Sequence, residues 1–185
     1  MRSLLACAAA FALCLAPLSP VLHAADEGDI ITIKSFEDHE GFVYAYGSWE
    51  GQIQTMAEGV LIAGSATATG GAGGELLVDV SRAKNIFITL RTLPENRAQT
   101  LNVILMDRSG HGAGFVLNLA KVGTEWTTLQ LDMARQSFRP PDMQPNPDWS
   151  AIAGFQIQGN HSGDAAVAVQ IRSICAAPPP SPVQP

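Results

Sequence analysis

The stretch D-W-S-A-I-A-G-F-Q-I-Q-G-N-H-S-G-D-A-A-V-A-V-Q-I-R-S-I, residues 148–174, decides the fold of this chain. Two runs within it, residues 155–158 and 167–172, alternate apolar with polar side chains on either side of a turn-rich segment. Such alternation predicts two antiparallel strands that form a hairpin with one apolar and one polar face. The predicted apolar face carries Phe155, Ile157, Val167, Val169 and Ile171, and the polar face carries Gln156, Gln158, Gln170 and Arg172.

The same alternation recurs through the hundred residues before this stretch, and no window has the apolar spacing of a long amphipathic helix. Nine or ten short strands with turns between them predict an all-β fold, an antiparallel two-sheet β-sandwich or jelly roll. The glycine-rich run at residues 70–74 is predicted to be a flexible connection or a bulge. The side chains predicted to point inward are Leu76, Val78, Val80, Ile86, Ile88, Leu90, Leu101, Val103, Leu105, Phe115, Leu117, Leu119, Leu129 and Leu131.

The chain of 185 residues is long enough for one such domain and leaves little room for a second. Arg2, an apolar run and a small-residue site predict a signal peptide over residues 1–24 and a secreted or periplasmic location. The β-sandwich is predicted over residues 28–175, and a proline-rich disordered tail over residues 176–185. Cleavage leaves Cys175 as the remaining cysteine, either as a partly buried thiol or in an intermolecular disulfide.

Charge and motif content exclude several classes of function. A net charge of −6 with no basic run argues against nucleic acid as a partner, and no later segment is long enough for a transmembrane helix. No carboxylate pair, Gly-x-Ser-x-Gly elbow or phosphate loop can be placed, so the chain is not predicted to be an enzyme.

The order of several motifs resembles galactose-binding-like jelly rolls, in particular family 11 carbohydrate-binding modules and CIA30-type domains. The likeness covers about residues 30–175. It is carried by Phe36-Glu37-Asp38, the glycine-rich run, Trp126-Thr127-Thr128-Leu129-Gln130-Leu131, the loop with Phe138, Asp148-Trp149-Ser150-Ala151-Ile152-Ala153-Gly154-Phe155-Gln156-Ile157 and Ile171-Arg172-Ser173-Ile174.

The resemblance implies a sugar-binding sandwich and, in many relatives, a structural calcium ion held by acids near the first and last strands. Glu37 and Asp38 are the candidate calcium ligands here, since oxygen-rich turns suit calcium, and a solvated acidic loop is the alternative. The chain departs from the relatives at Arg172, where they often carry a carboxylate.

The candidate ligand-binding residues are outward polar side chains and two aromatic ones. Amides and a guanidinium match paired sugar hydroxyls, and aromatic faces stack on pyranose rings. An outer face that is merely solvated is the alternative for the polar residues. The predicted function is a secreted, non-catalytic module that binds a glycan or polysaccharide through one sheet face or the loop ends, with an envelope protein-interaction or structural domain as the alternative. The candidates are Tyr44, Tyr46, Arg91, Asn102, Asn118, Gln156 and Gln158, which are expected to line one concave face.

Overall fold

A computed structural model of the chain describes residues 30–37, 42–140, 142–160 and 165–178. The predicted signal peptide, Asp38 and most of the predicted tail lie outside this part. The described residues form eleven strands in two antiparallel sheets, and this confirms the predicted β-sandwich. No helix among them is long and apolar enough to cross a membrane.

The two sheets are named here the front sheet and the back sheet. The front sheet has the order β2-β5-β10-β7-β8, and the back sheet the order β3-β4-β11-β6-β9, with β1 pairing beside β4 on the same edge of β11. The front strands are β2 (Tyr44–Tyr46), β5 (Gly71–Val78), β7 (Thr100–Asp107), β8 (Gly112–Asn118) and β10 (Ile152–Gly159). The back strands are β1 (Ile31–Ser35), β3 (Ile53–Met56), β4 (Gly59–Thr67), β6 (Asn85–Thr92), β9 (Thr127–Asp132) and β11 (Ala166–Ala177).

The core lies between the sheets and contains or contacts every side chain that the alternation predicted to point inward. Phe36, Phe42 and Phe155 pack together there, with ring centroids 5.2 to 5.9 Å apart. Trp49 is fully buried at one end, where its Nε1 donates a hydrogen bond to the carbonyl of Thr67 over 2.8 Å. Burying so many apolar side chains, at roughly 1.5–3 kcal/mol each, stabilises the domain without a disulfide.

The predicted hairpin of the last two strands is wrong, although both predicted faces are right. β10 pairs with β5 and β7 in the front sheet, whereas β11 pairs with β1, β4 and β6 in the back sheet. Both strands have neighbours on both edges, so no edge is left for them to pair with each other. The chain instead passes from one layer to the other between Gly159 and Ala166.

Two predicted boundaries also differ from the structure. Most of the glycine-rich run belongs to β5, because the strand begins at Gly71. β11 continues to Ala177, two residues into the segment that was predicted to be tail. Cys175 is therefore a strand residue, free and half-buried, and it pairs with Phe87.

The irregular segment after β9 closes the outer edge of the front sheet. The N–H of Gly112 donates to the carbonyl of Gln144 over 2.8 Å, and the N–H of Ser137 donates to that of Gly114 over 2.9 Å. Strand β8 therefore does not present an unpaired edge at these positions, which removes a site of edge-to-edge association.

Candidate functional site

The outward side chains of the front sheet line up in three rows across the strands because the strands are paired in register. Five of the predicted ligand-binding residues, two tyrosines and three amides, lie in the first two rows. The first row is Tyr46, Gly71, Gln158, Asn102 and Val116, the second is Tyr44, Gly73, Gln156, Ile104 and Gly114, and the third is Glu75, Gly154, Met106 and Gly112.

Both tyrosine side chains cross over glycines of the neighbouring strand β5. A Cβ atom on Gly71 would lie 2.5 Å from the hydroxyl oxygen of Tyr46, and one on Gly73 would lie 2.5 Å from that of Tyr44. The absence of these side chains is what allows the tyrosines to extend from the sheet edge toward its centre.

The first row is fixed by a hydrogen bond. The hydroxyl of Tyr46 donates to Oε1 of Gln158 over 2.7 Å. Gln158 and Asn102 point outward, as predicted, yet only 7% and 9% of their surface is exposed. Tyr44 in the second row is 43% exposed, and Gln156 beside it is half-buried. The second row is therefore the more open to a ligand.

The tyrosine hydroxyls are neutral at physiological pH. Burial raises the pKa of Tyr44, and burial together with the nearby Tyr44 raises the pKa of Tyr46. The Tyr44 hydroxyl can therefore donate and accept a hydrogen bond, whereas the Tyr46 hydroxyl, which already donates to Gln158, can still accept one from a sugar hydroxyl.

A groove of about 390 Å³ continues the face at the third row. Gly154 lines the groove without a side chain, and the Met106 side chain lies beside it, since a Cβ atom on Gly154 would be 3.1 Å from Cγ of Met106. Glu75, Met106 and Arg108 were not among the predicted ligand-binding residues. Strand alternation could have placed Glu75 and Met106 on the outer face of their strands. No sequence pattern could have placed Arg108, because it lies in a turn. The groove is lined by Tyr44, Gly74, Glu75, Leu76, Met106, Asp107, Arg108, Ala153 and Gly154.

The segment after β9 supplies the opposite boundary of the face. A Cβ atom on Gly114 would lie 2.5 Å from Cε1 of Phe138, and one on Gly112 would collide with Sδ of Met143. Ile104 is only 2% exposed although it points away from the core between the sheets. The outer face is thus bounded by the tyrosines of β2 on one side and by Phe138 and Met143 on the other.

Asp107 holds the turn that carries Arg108 into the groove. Its Oδ1 accepts hydrogen bonds from the backbone N–H groups of Ser109 (2.7 Å) and His111 (3.1 Å), and its Oδ2 from that of Asp148 (2.8 Å). Burial raises the pKa of the Asp107 carboxyl, but the three N–H donors and the His111 ring outweigh burial and hold the pKa below its ordinary value of 3.8.

We expect Asp107→Asn to destabilise the protein at pH 7 by about 1–3 kcal/mol, because an amide NH₂ replaces one accepting oxygen opposite backbone donors. Since the folded-state pKa is depressed, the carboxylate stabilises the fold above the unfolded-state pKa. This contribution disappears as the pH falls below about 4 and through the folded pKa. Urea unfolding at pH 7 and pH 3 measures both effects. The wild-type and variant stabilities should converge in acid; an equal difference at both pH values contradicts the assignment.

Arg91 does not lie on this face, so the expectation that it lines one surface with the tyrosines is wrong. It points outward from the back sheet, where its Nε donates to Oε1 of Gln170 over 2.8 Å and its guanidinium lies 4.5 Å from the ring centroid of Trp126. Alternation gives the direction of a side chain but does not say which sheet its strand joins.

Asn118 lies at the end of β8, beyond the first row of the front face. Its Oδ1 accepts a hydrogen bond from the N–H of Ala120 over 3.0 Å and caps the short 3₁₀ helix Leu119–Lys121. An Asn at this position satisfies a backbone donor that the helix itself leaves unpaired. Its place in a ligand site stays a prediction.

The described residues near the predicted calcium site do not fit calcium. Oε1 of Glu37 lies 3.0 Å from Nε of Arg172, an ion pair without the alignment of a hydrogen bond. The Arg172 guanidinium also lies 4.1 Å from the ring centroid of Trp126. A cation already neutralises the one described candidate ligand, and no group of three metal-ligating side chains occurs in the described part of the chain. Asp38 lies outside that part.

We expect Arg172→Met to lower the free energy of unfolding by about 1–2 kcal/mol, because the contact with Trp126 and the ion pair with Glu37 are both lost. The control is Arg135→Met, whose side chain is 87% exposed and should matter little. Urea is the suitable denaturant, since guanidinium salts screen ion pairs.

Millimolar calcium and EDTA should give the same wild-type urea-unfolding midpoint. A rise with calcium that Glu37→Gln abolishes would overturn this interpretation.

Comparison with known proteins supports the fold. The chain is similar to a family 11 carbohydrate-binding module from Clostridium thermocellum, solved with a β-1,3-1,4-mixed-linked tetrasaccharide. The TM-score is 0.53 and the identity 15%, over 81% of this chain and 96% of that one. It is also similar to the xylan-binding module CBM15, with a TM-score of 0.52 and 14% identity over 80% of this chain and 95% of that one.

A third similar structure is an agarase, with a TM-score of 0.56 and 12% identity over 82% of this chain but only 25% of the agarase. No protein-family model matches the sequence, and no curated protein matches it. At these identities the likeness concerns the fold. It confirms the predicted jelly-roll fold, while the resemblance to CIA30-type domains stays a prediction.

Proposed function

We propose that the protein is a secreted, non-catalytic module that binds carbohydrate on the outer face of the front sheet. One observation carries the proposal: the register places Tyr44 and Tyr46 over Gly73 and Gly71 and next to Gln156 and Gln158 on one bounded face.

The chemistry of this face suits neutral sugars. An exposed tyrosine ring offers a flat apolar surface for the C–H side of a pyranose, and the side-chain amide of Gln156 offers a donor and an acceptor to hydroxyls. The hydrogen bond between Tyr46 and Gln158 holds the neighbouring row in place before a ligand arrives. Preorganisation of this kind lowers the entropy that binding costs.

The proposal of a non-catalytic role rests on the carboxylates. Hydrolysis of a glycosidic bond ordinarily needs two of them, one on each side of the bond. The groove is lined by Glu75 and Asp107, and both oxygens of Asp107 accept backbone hydrogen bonds. A second carboxylate free to act on a ligand is therefore missing from the described lining of the groove.

Similar proteins point to the same class of ligand. Two of the structures that share the fold are named as carbohydrate-binding or xylan-binding modules, and the third belongs to an agarase.

Secretion is proposed from the predicted signal peptide alone. It is tested by cell fractionation and by sequencing the N-terminus of the purified protein.

Native affinity electrophoresis tests the binding proposal. Gels containing β-1,3-1,4-glucan, xylan or agarose are run with the wild type, with Gln156→Ala and with Gln130→Ala, a glutamine that is exposed on the back sheet. We expect at least one neutral polysaccharide to retard the wild type and Gln130→Ala equally, and Gln156→Ala much less. If no polysaccharide retards the wild type, the proposal fails and an envelope protein partner becomes the better hypothesis.

A further inference from the structure

The groove at the third row presents two opposite charges that do not pair with each other. Glu75 lies on β5 and Arg108 in the turn after β7, with Gly154 of β10 between those two strands. Two strand spacings place β5 and β7 about 10 Å apart. No ion pair joins the two described side chains across this width, which accommodates one sugar ring.

Both charged side chains are available to a ligand. Each is exposed, and neither has an ion pair or side-chain hydrogen bond within the part of the chain that the structure describes. The backbone position of Arg108 is nevertheless fixed, because the buried Asp107 carboxylate accepts hydrogen bonds from the turn that carries Arg108.

We propose that Glu75 and Arg108 bind opposite edges of a single sugar unit that lies over Gly154. This inference rests on the proposed carbohydrate-binding function and names its ligand class more closely. The Glu75 carboxylate accepts hydrogen bonds from hydroxyls on one edge, and the Arg108 guanidinium donates to oxygens on the other. Gly154, which lines the groove without a side chain, lies between them.

The arrangement selects uncharged sugar units. Hydroxyl groups both donate and accept, so they satisfy both side chains at once. A uronate carboxylate is attracted by Arg108 but repelled by Glu75, and the two effects offset each other. The protein's net charge of −6 further disfavours an acidic polysaccharide.

Isothermal titration with the neutral polysaccharide that the wild type binds tests the assignment. Glu75→Ala and Arg108→Ala should each weaken binding roughly tenfold, the loss of about one charge-assisted hydrogen bond. The matched control Glu125→Ala removes an exposed carboxylate elsewhere and should change the affinity less than about twofold. Circular dichroism checks that each variant keeps the fold.

A second arm measures selectivity with polygalacturonate. In native gels that contain polygalacturonate, the wild-type protein should migrate without retardation, whereas the Glu75→Gln variant should be retarded. If both alanine variants bind the neutral glycan like the wild type while Gln156→Ala does not, the inference is wrong and the proposed function stands. If the wild type binds no neutral polysaccharide, both are wrong.

Discussion

Replacing Tyr44 by alanine is expected to lower the affinity for the neutral glycan by at least roughly 30-fold, which corresponds to about 2 kcal/mol. Tyr44 is 43% exposed, contributes to the second row of the front face and also lines the groove of the third row. Its ring is thus the one aromatic surface shared by both candidate subsites in the described part of the chain. Isothermal titration against the polysaccharide that retards the wild type provides the measurement.

Tyr44→Phe is the matched control for this prediction. It keeps the ring and removes the hydroxyl, so it should retain most of the affinity if stacking is the main contribution of Tyr44. Unfolding midpoints should stay close to that of the wild type for both variants, since Tyr44 lies outside the buried core. If the Tyr44→Ala variant binds the glycan as tightly as the wild type, the outer face of the front sheet is not the binding site.

Phe155→Ala should lower the free energy of unfolding by about 3–5 kcal/mol, the range typical of a buried aromatic side chain. Phe155 is 1% exposed, and its ring packs against those of Phe36 and Phe42. The substitution therefore leaves a cavity between the two sheets. Urea unfolding followed by tryptophan fluorescence measures the loss.

The next residue along the chain supplies the comparison. Gln156→Ala should change the stability by less than about 0.5 kcal/mol while weakening glycan binding, because its side chain points to the outer face. Adjacent residues are thus expected to affect stability and binding separately. Equal losses of stability at positions 155 and 156 would contradict the strand orientation.

The predicted sandwich and its core depended on one strong signal, the alternation of apolar and polar residues. Burial of one face forces this pattern on a strand, so the inward sets around Ile88, Val103 and Phe155 could be identified from the sequence. The same argument placed Gln156 and Gln158 on the outer face, which the pairing of β10 confirms.

The pairing partners of the strands could not be predicted from the sequence, because alternation identifies a strand but not its neighbours in the sheet. The last two strands are adjacent in sequence but belong to different sheets, and Arg91 points outward from the back sheet. Which strands pair depends on contacts between residues far apart in sequence. No local pattern around Arg91 or β11 encodes those contacts.

The glycines of β5 illustrate a second limit. Gly71 and Gly73 have a low intrinsic preference for strands, so the run was predicted to be a flexible connection or a bulge. Tertiary contacts outweigh that preference here, because the tyrosines of β2 need the space that side chains at these positions would fill. The groove beside them is also formed by residues from separate strands and a turn, and its position follows only from the register.

Chemical-shift mapping of the isotope-labelled protein during titration with the glycan would locate the binding face directly. If the glycan binds on the outer face of the front sheet, the largest changes should occur at the side-chain amide groups of Gln156 and Gln158 and at the backbone amides of Tyr44 and Tyr46. Small changes are expected at Arg91 and Trp126 on the back sheet. Changes confined to the back sheet would contradict the account.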